Sequence, residues 1–101
     1  MTRFRIDDSF ALKTVGFVFS GEILEGSALP DMIFFVTEAG HRWRIVVRSV
    51  ECIFLTGGGK KTGLVVEQPK NAYLPGLGVG QTVELIEAEE DRPNRTSSPR
   101  R

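Results

Sequence analysis

The chain has 101 residues, 41% of them hydrophobic, which suits one domain with a core of its own. Thirteen basic and thirteen acidic side chains cancel, which excludes a general polyanion binder held by bulk electrostatics and leaves room for a local basic patch. The single cysteine, Cys52, excludes an internal disulfide framework. Its apolar surroundings predict a small buried core residue.

No apolar run approaches the length of a membrane span, and MTRFRIDDSF carries no apolar signal core. A cytoplasmic protein without membrane contact is the expectation.

In chain order, Phe4 and Ile6 alternate with Arg3, Arg5 and Asp7, the pattern of a half-buried strand. Asp7-Asp8-Ser9 predicts a break, after which Phe10 and Leu12 resume the alternation. Lys13-Thr14 leads into a turn at Gly16. From Val15 to Leu24, Val15, Phe17, Phe19, Gly21 and Ile23 share one face, the predicted core face. Gly16, Val18, Ser20, Glu22 and Leu24 share the other. Gly21 inside this strand marks a bulge, a bend or a close backbone approach. Glu25-Gly26 ends it, and Ser27 to Asp31 is a connection.

Met32 to Thr37, MIFFVT, reads as a strand buried on both faces. Glu38 to His41 predicts a hairpin loop. The longest strand candidate follows, HRWRIVVRSVECIFL. Trp43, Ile45 and Val47 point to the core, and Arg42, Arg44, Val46 and Arg48 point away. Near Ser49 the apolar parity switches to Val50, Cys52 and Phe54, as a bulge would permit. Thr56 to Thr62 reads as a flexible loop, Gly63 to Glu67 as a short strand, and Gln68 to Gly80 as irregular. Thr82 to Ala88 is the last strand. Residues 1–88 thus form one all-β domain, a closed barrel or small sandwich. Residues 89–101 hold no hydrophobic residue and predict a disordered polar tail.

Asp8, Phe10, Gly16, Val18, Gly21, Ile23 and Gly26 stand in the spacing D-x-F-x5-G-x-V-x2-G-x-[IV]-x2-G. This resembles the opening of the second domain of elongation factor Tu and related translational GTPases. RIVVRSVECI, GLVVEQ and LPGLGVGQTVEL resemble later strands of that barrel in the same order, so the likeness covers about residues 4–88. The resemblance implies a six-stranded closed Greek-key barrel of the translation-protein type. It also implies partners such as tRNA, rRNA or a translation-associated protein. The nucleotide-binding domain of those factors has no counterpart here, so GTP hydrolysis is not implied. The positions matching the wall of the family's aminoacyl pocket are Asp7 and Asp8, Phe10 and Ser20. On the parity above Ser20 faces outward. The plainer assignment makes Asp8 a turn cap, Phe10 core and Ser20 a solvated strand position.

TGGGKKTG lacks the glycine-to-lysine spacing of a phosphate-binding loop, since Gly59-Lys60 is followed by Lys61 and Phe54 stands at the first glycine position. No nucleotide or other cofactor is expected. One histidine, His41, and one cysteine make no metal set, and no nucleophile–base pair points to an enzyme. The carboxylates at Asp7-Asp8 and Glu87 to Asp91 fit no acid–base geometry.

Arg42, Arg44 and Arg48 form a basic stripe able to meet a phosphate backbone or an acidic partner, though without an exposed aromatic among them. The alternative is a solvated face balanced by glutamates across the sheet. The tail segment RPNRTSSPRR could add an electrostatic arm. A non-catalytic binding module is therefore expected. The other reading is a protein-interaction or oligomerisation domain, for example a homodimer, using exposed Val18, Leu24, Leu74 or Leu77.

Overall fold

The computed structural model describes residues 1–67 and 73–88. Six strands, β1 (Thr2–Leu12), β2 (Gly16–Glu25), β3 (Met32–Glu38), β4 (His41–Phe54), β5 (Lys60–Val66) and β6 (Thr82–Glu87), close into one antiparallel barrel. Around the barrel their order is β1-β2-β5-β4-β3-β6. The meander β3-β4-β5 thus has β2 beside β5, a Greek-key path. The expected all-β closed barrel is what forms. The expectation for residues 89–101 lies outside the described residues.

Alternation builds the core. Phe4 and Ile6 of β1, Phe17 and Phe19 of β2, Phe34 and Val36 of β3, and Ile45 and Val47 of β4 all point inward and are fully buried. The Phe19 ring meets Phe17 and Phe34 edge-to-face at 5.2 and 5.3 Å. Such pairs add to the area that aromatic rings bury. One end of the barrel is stopped by the segment before β6, where Tyr73 stacks edge-on to Phe17 at 5.3 Å and Leu77 is buried.

That stopper is held by backbone bonds to β1. Gly76 N donates to Ser9 O (2.9 Å), Gly80 N to Ile6 O (2.8 Å), and Ile6 N to Gln81 O (2.9 Å). The buried Ser9 hydroxyl donates to Leu77 O at 2.8 Å. Glu38 accepts from Gly78 N (2.9 Å) and Gln81 Nε2 donates to Thr37 O (2.7 Å), which ties the same segment to the β3–β4 hairpin. The described part of the predicted irregular region, 73–80, is therefore ordered by hydrogen bonds although it forms no strand.

The break expected at Asp7-Asp8-Ser9 is a bulge within a continuous β1. Ile6 lies opposite Gly21 and Asp8 opposite Ser20, leaving Asp7 as the extra residue. The bulge turns Asp7 outward among cations. Arg5 Nε donates to Asp7 Oδ1 at 2.8 Å, Lys61 Nζ lies 3.0 Å from Asp7 Oδ2, and Arg5 also reaches Glu22 at 3.0 Å. Hydrogen bonds from Arg5 and then Lys61 hold the Asp7 carboxyl at about 2, below its ordinary 3.8. Because the folded value is the lower one, this contribution is complete above the unfolded value and is lost as pH falls from about 3.8 through about 2. In urea titrations over that range, wild type should lose stability more steeply than Asp7→Asn. Parallel curves would show that the cluster contributes nothing.

The parity switch predicted near Ser49 is present. A bulge between Val47 and Ser49 shifts the β4–β5 register, so Val50 rather than Ser49 turns toward the core. The predicted loop 56–62 is shorter, because Lys60, Lys61 and Thr62 already belong to β5. Among the described residues no helix is long and apolar enough to cross a membrane.

Candidate nucleic-acid interface

β3 and β4 form a two-stranded hairpin with Thr37 opposite Arg42, Phe35 opposite Arg44 and Ile33 opposite Val46. With Phe34 and Val36 turned into the core, the alternate residues Ile33, Phe35 and Thr37 have outward parity, on the side of Arg42, Arg44 and Val46, but Ile33 is covered and fully buried. At one end of this face Ile33 pairs with Ile86 of β6, giving a row of three aliphatic residues. Toward the hairpin tip the face becomes aromatic and basic.

The Arg42 guanidinium carbon lies 3.8 Å from the centroid of the Phe35 ring. That distance is a stacked cation–π contact. Arg44 sits directly across from the same ring and is exposed. MIFFVT is covered on both faces at Ile33 and Phe34, but Phe35 is only half-buried and Thr37 exposed, so the strand is open toward the hairpin tip and an aromatic does lie beside the arginines. A ring with one guanidinium stacked on it and a second arginine opposite in register offers stacking and phosphate contact within one patch.

Arg48 is exposed on the same strand beyond Val46, 3.9 Å from Glu67. Both side chains are solvated, so the pair is weak and holds Arg48 loosely. Trp43 faces the other way, as expected, packing half-buried against the core, with His41 4.3 Å from its ring.

The second predicted set lies elsewhere. Asp8 and Ser20 are direct cross-strand partners, and Phe10 lies opposite Val18 further along the same pair of strands. Asp8 is exposed and accepts from Ser9 N at 2.8 Å, and Phe10 is half-buried. Ser20 does not face solvent as predicted, being only 5% exposed. Val18, also predicted exposed, is 2% exposed.

The reason is a small apolar cluster on the outer face of β2. Val18 pairs with Phe10 on one side and Val65 on the other, and Ile53 leans into the space that a side chain at Gly63 would occupy. Alternation assumes a wetted outer face, and here the flanking strands cover it. In the barrel order β5 and β6 separate β1–β2 from β3–β4, so Arg42 and Arg44 do not join Asp8, Phe10 and Ser20 in one site.

Three further expectations are corrected. Val15 is exposed in the turn before β2 rather than on the core face, since the strand starts only at Gly16. Leu77 is buried in the barrel stopper, although Leu74 and Leu24 are exposed as predicted. Cys52 is exposed rather than a core residue. It turns to the inner side of β4 but lies beyond the last β3–β4 pair, where no opposite wall remains. With Arg5, Asp7, Glu22, Lys60 and Lys61 it lines a concavity of about 470 Å³. Those cations and carboxylates largely satisfy one another through the Arg5–Asp7–Lys61 contacts. Among the described residues no group of His, Cys, Asp and Glu is placed to hold a metal ion.

In comparisons with known proteins the chain matches no family model, no curated protein and no solved structure.

Proposed function

We propose that this chain is a non-catalytic binding module on a barrel of the translation-factor type, and that the outer face of its β3–β4 hairpin contacts RNA. The glycine-spaced motif from Asp8 to Gly26 supports the barrel type. The observation that carries the RNA contact is the Arg42 guanidinium stacked on Phe35 with Arg44 across from the same ring. Phosphates would meet the two arginines, and an unpaired base would stack at the exposed part of the ring. This suits a single-stranded end such as that of tRNA, or an rRNA loop, better than a duplex, whose bases are already stacked.

The test is an anisotropy titration of the protein against labelled tRNA and a single-stranded oligoribonucleotide. Arg42→Glu/Arg44→Glu should weaken binding by about tenfold or more, because two phosphate contacts become repulsions. Phe35→Ala should weaken binding to the single strand while leaving the far-ultraviolet spectrum unchanged. If wild type and the double variant bind equally weakly, the reading is wrong.

A second reading, a protein-interaction domain with no RNA role, is supported by a different feature. Phe54 and Leu55, at the far end of β4, are 78% and 41% exposed.

A further inference from the structure

We propose that β4 pairs, along its edge from Val50 to Phe54, antiparallel with the same edge of a second copy of this chain, Cys52 lying opposite Cys52. β3 pairs with β4 only as far as Ile33 opposite Val46, and one further bond, Asp31 N to Val47 O at 2.8 Å, closes that seam. β4 continues to Phe54, bonded to β5 along one side. On its other side no described residue supplies a backbone partner from Ser49 to Phe54.

A row of unpaired N–H and C=O groups is a template for another strand. The usual safeguards are thin. Ser49-Val50-Glu51-Cys52-Ile53-Phe54 contains no proline and no lysine, and Glu51 is its one charge. Phe54, 78% exposed, lies at the open end of this edge.

Self-complementarity in a single register argues for a second copy as the occupant. A two-fold interface is isologous, and opposite residues of antiparallel strands share a face, so the pairing must be centred on one residue. Centring on Glu51 sets two carboxylates against each other, which is destabilising. Centring on Val50 sets Phe54 against Val46, whose edge Ile33 already occupies. Centring on Ile53 sets Val50 against Thr56, which lies in the turn beyond β4.

Centring on Cys52 keeps every pair within the free edge. Phe54 then lies opposite Val50, which packs against the core, so the most exposed ring gains an apolar bed. Glu51 lies opposite Ile53, so no two carboxylates meet across the seam. The interface is at the opposite end of β4 from Arg42 and Arg44 and does not depend on their role.

Sedimentation velocity of the full chain under reducing conditions, over the micromolar to millimolar range, tests the pairing. A concentration-dependent dimer is expected, and Phe54→Lys should remain monomeric with an unchanged far-ultraviolet spectrum. Diamide tests the register. Two opposed Cys52 thiols give up two protons and two electrons to the reagent and join as a disulfide, since opposite Cα atoms about 4.5–5.5 Å apart suit that bond. Wild type should cross-link about tenfold faster than Phe54→Lys at equal concentration, because pairing raises the local thiol concentration. Cys52→Ser should dimerise without cross-linking. A monomer at every concentration overturns the proposal. So does a dimer that survives Phe54→Lys or fails to cross-link through Cys52. These outcomes are separate from RNA binding, which the Arg42→Glu/Arg44→Glu variant reads.

Discussion

Replacing Gly21 with alanine should destabilise the barrel by about 3–5 kcal/mol, enough to unfold much of a domain whose whole stability is of order 5–15 kcal/mol. Gly21 faces the β1 bulge, and a Cβ built on it would collide with the Arg5 carbonyl oxygen and stand 2.9 Å from the Arg5 carbonyl carbon. Both atoms are backbone, fixed by the β1–β2 pairing, so no side-chain rotation relieves the clash. Moving β1 away would disturb the Arg5–Asp7–Lys61 contacts and the stopper's backbone bonds to Ile6. The comparison that isolates the clash is Gly40→Ala in the β3–β4 turn. Gly40 has φ of 78° but nothing within 4 Å of its added carbon, so it should cost only the left-handed backbone term, about 1–2 kcal/mol. Thermal melts read the difference, since each 1 kcal/mol moves the midpoint by about 4–8 °C in a domain of this size. Equal losses at the two positions would mean that β1 relaxes around the new methyl group.

Phe19→Ala should cost about 3–5 kcal/mol, the range for emptying a buried phenylalanine site. Phe19 is fully buried and its ring meets Phe17, Phe34 and Tyr73, with centroids 5.2, 5.3 and 6.3 Å away. It therefore joins the inner wall to the stopper, and the cavity would open beside Tyr73. Besides the lower melting point, the Gly76 and Gly80 amides, bonded to Ser9 O and Ile6 O, should exchange faster with solvent. Phe19→Leu keeps most of the volume and should cost less, roughly 1–2 kcal/mol. Unchanged exchange at Gly76 and Gly80 in Phe19→Ala would show that the stopper is held by its backbone bonds alone.

The inner wall was legible because it obeys a period of two. Phe4 with Ile6 and Val83 with Leu85 each alternate with polar residues, Phe17 and Phe19 keep the same spacing around Val18, and each of the six is buried. The bulge after Val47 was legible as a change of parity, and Gly21 as a strand glycine needing a reason. What alternation hides is coverage of the outer face and the length of the opposing wall. Ser20 and Val18 have outward parity yet are buried, because Phe10, Val65 and Ile53 gather over them. Cys52 and Phe54 have inward parity yet are exposed, because β4 outruns β3.

The bulge at Asp7 read as a strand break, since two consecutive aspartates carry no sign that the chain resumes its pairing. At the candidate interface the arginines were legible from their spacing along β4. Phe35 was not, because Met32 to Val36 are all apolar and give no alternation to mark an open outer face.

The central claim is that Arg42 and Arg44 meet phosphates, and the salt dependence of RNA binding tests it most directly. The logarithm of the affinity for a single-stranded oligoribonucleotide should fall linearly with the logarithm of salt concentration, by about 0.7 per phosphate neutralised. Arg42→Ala/Arg44→Ala should therefore flatten the wild-type slope by about 1.4, two contacts' worth. Identical slopes for wild type and variant, or no measurable salt dependence in either, would contradict the account.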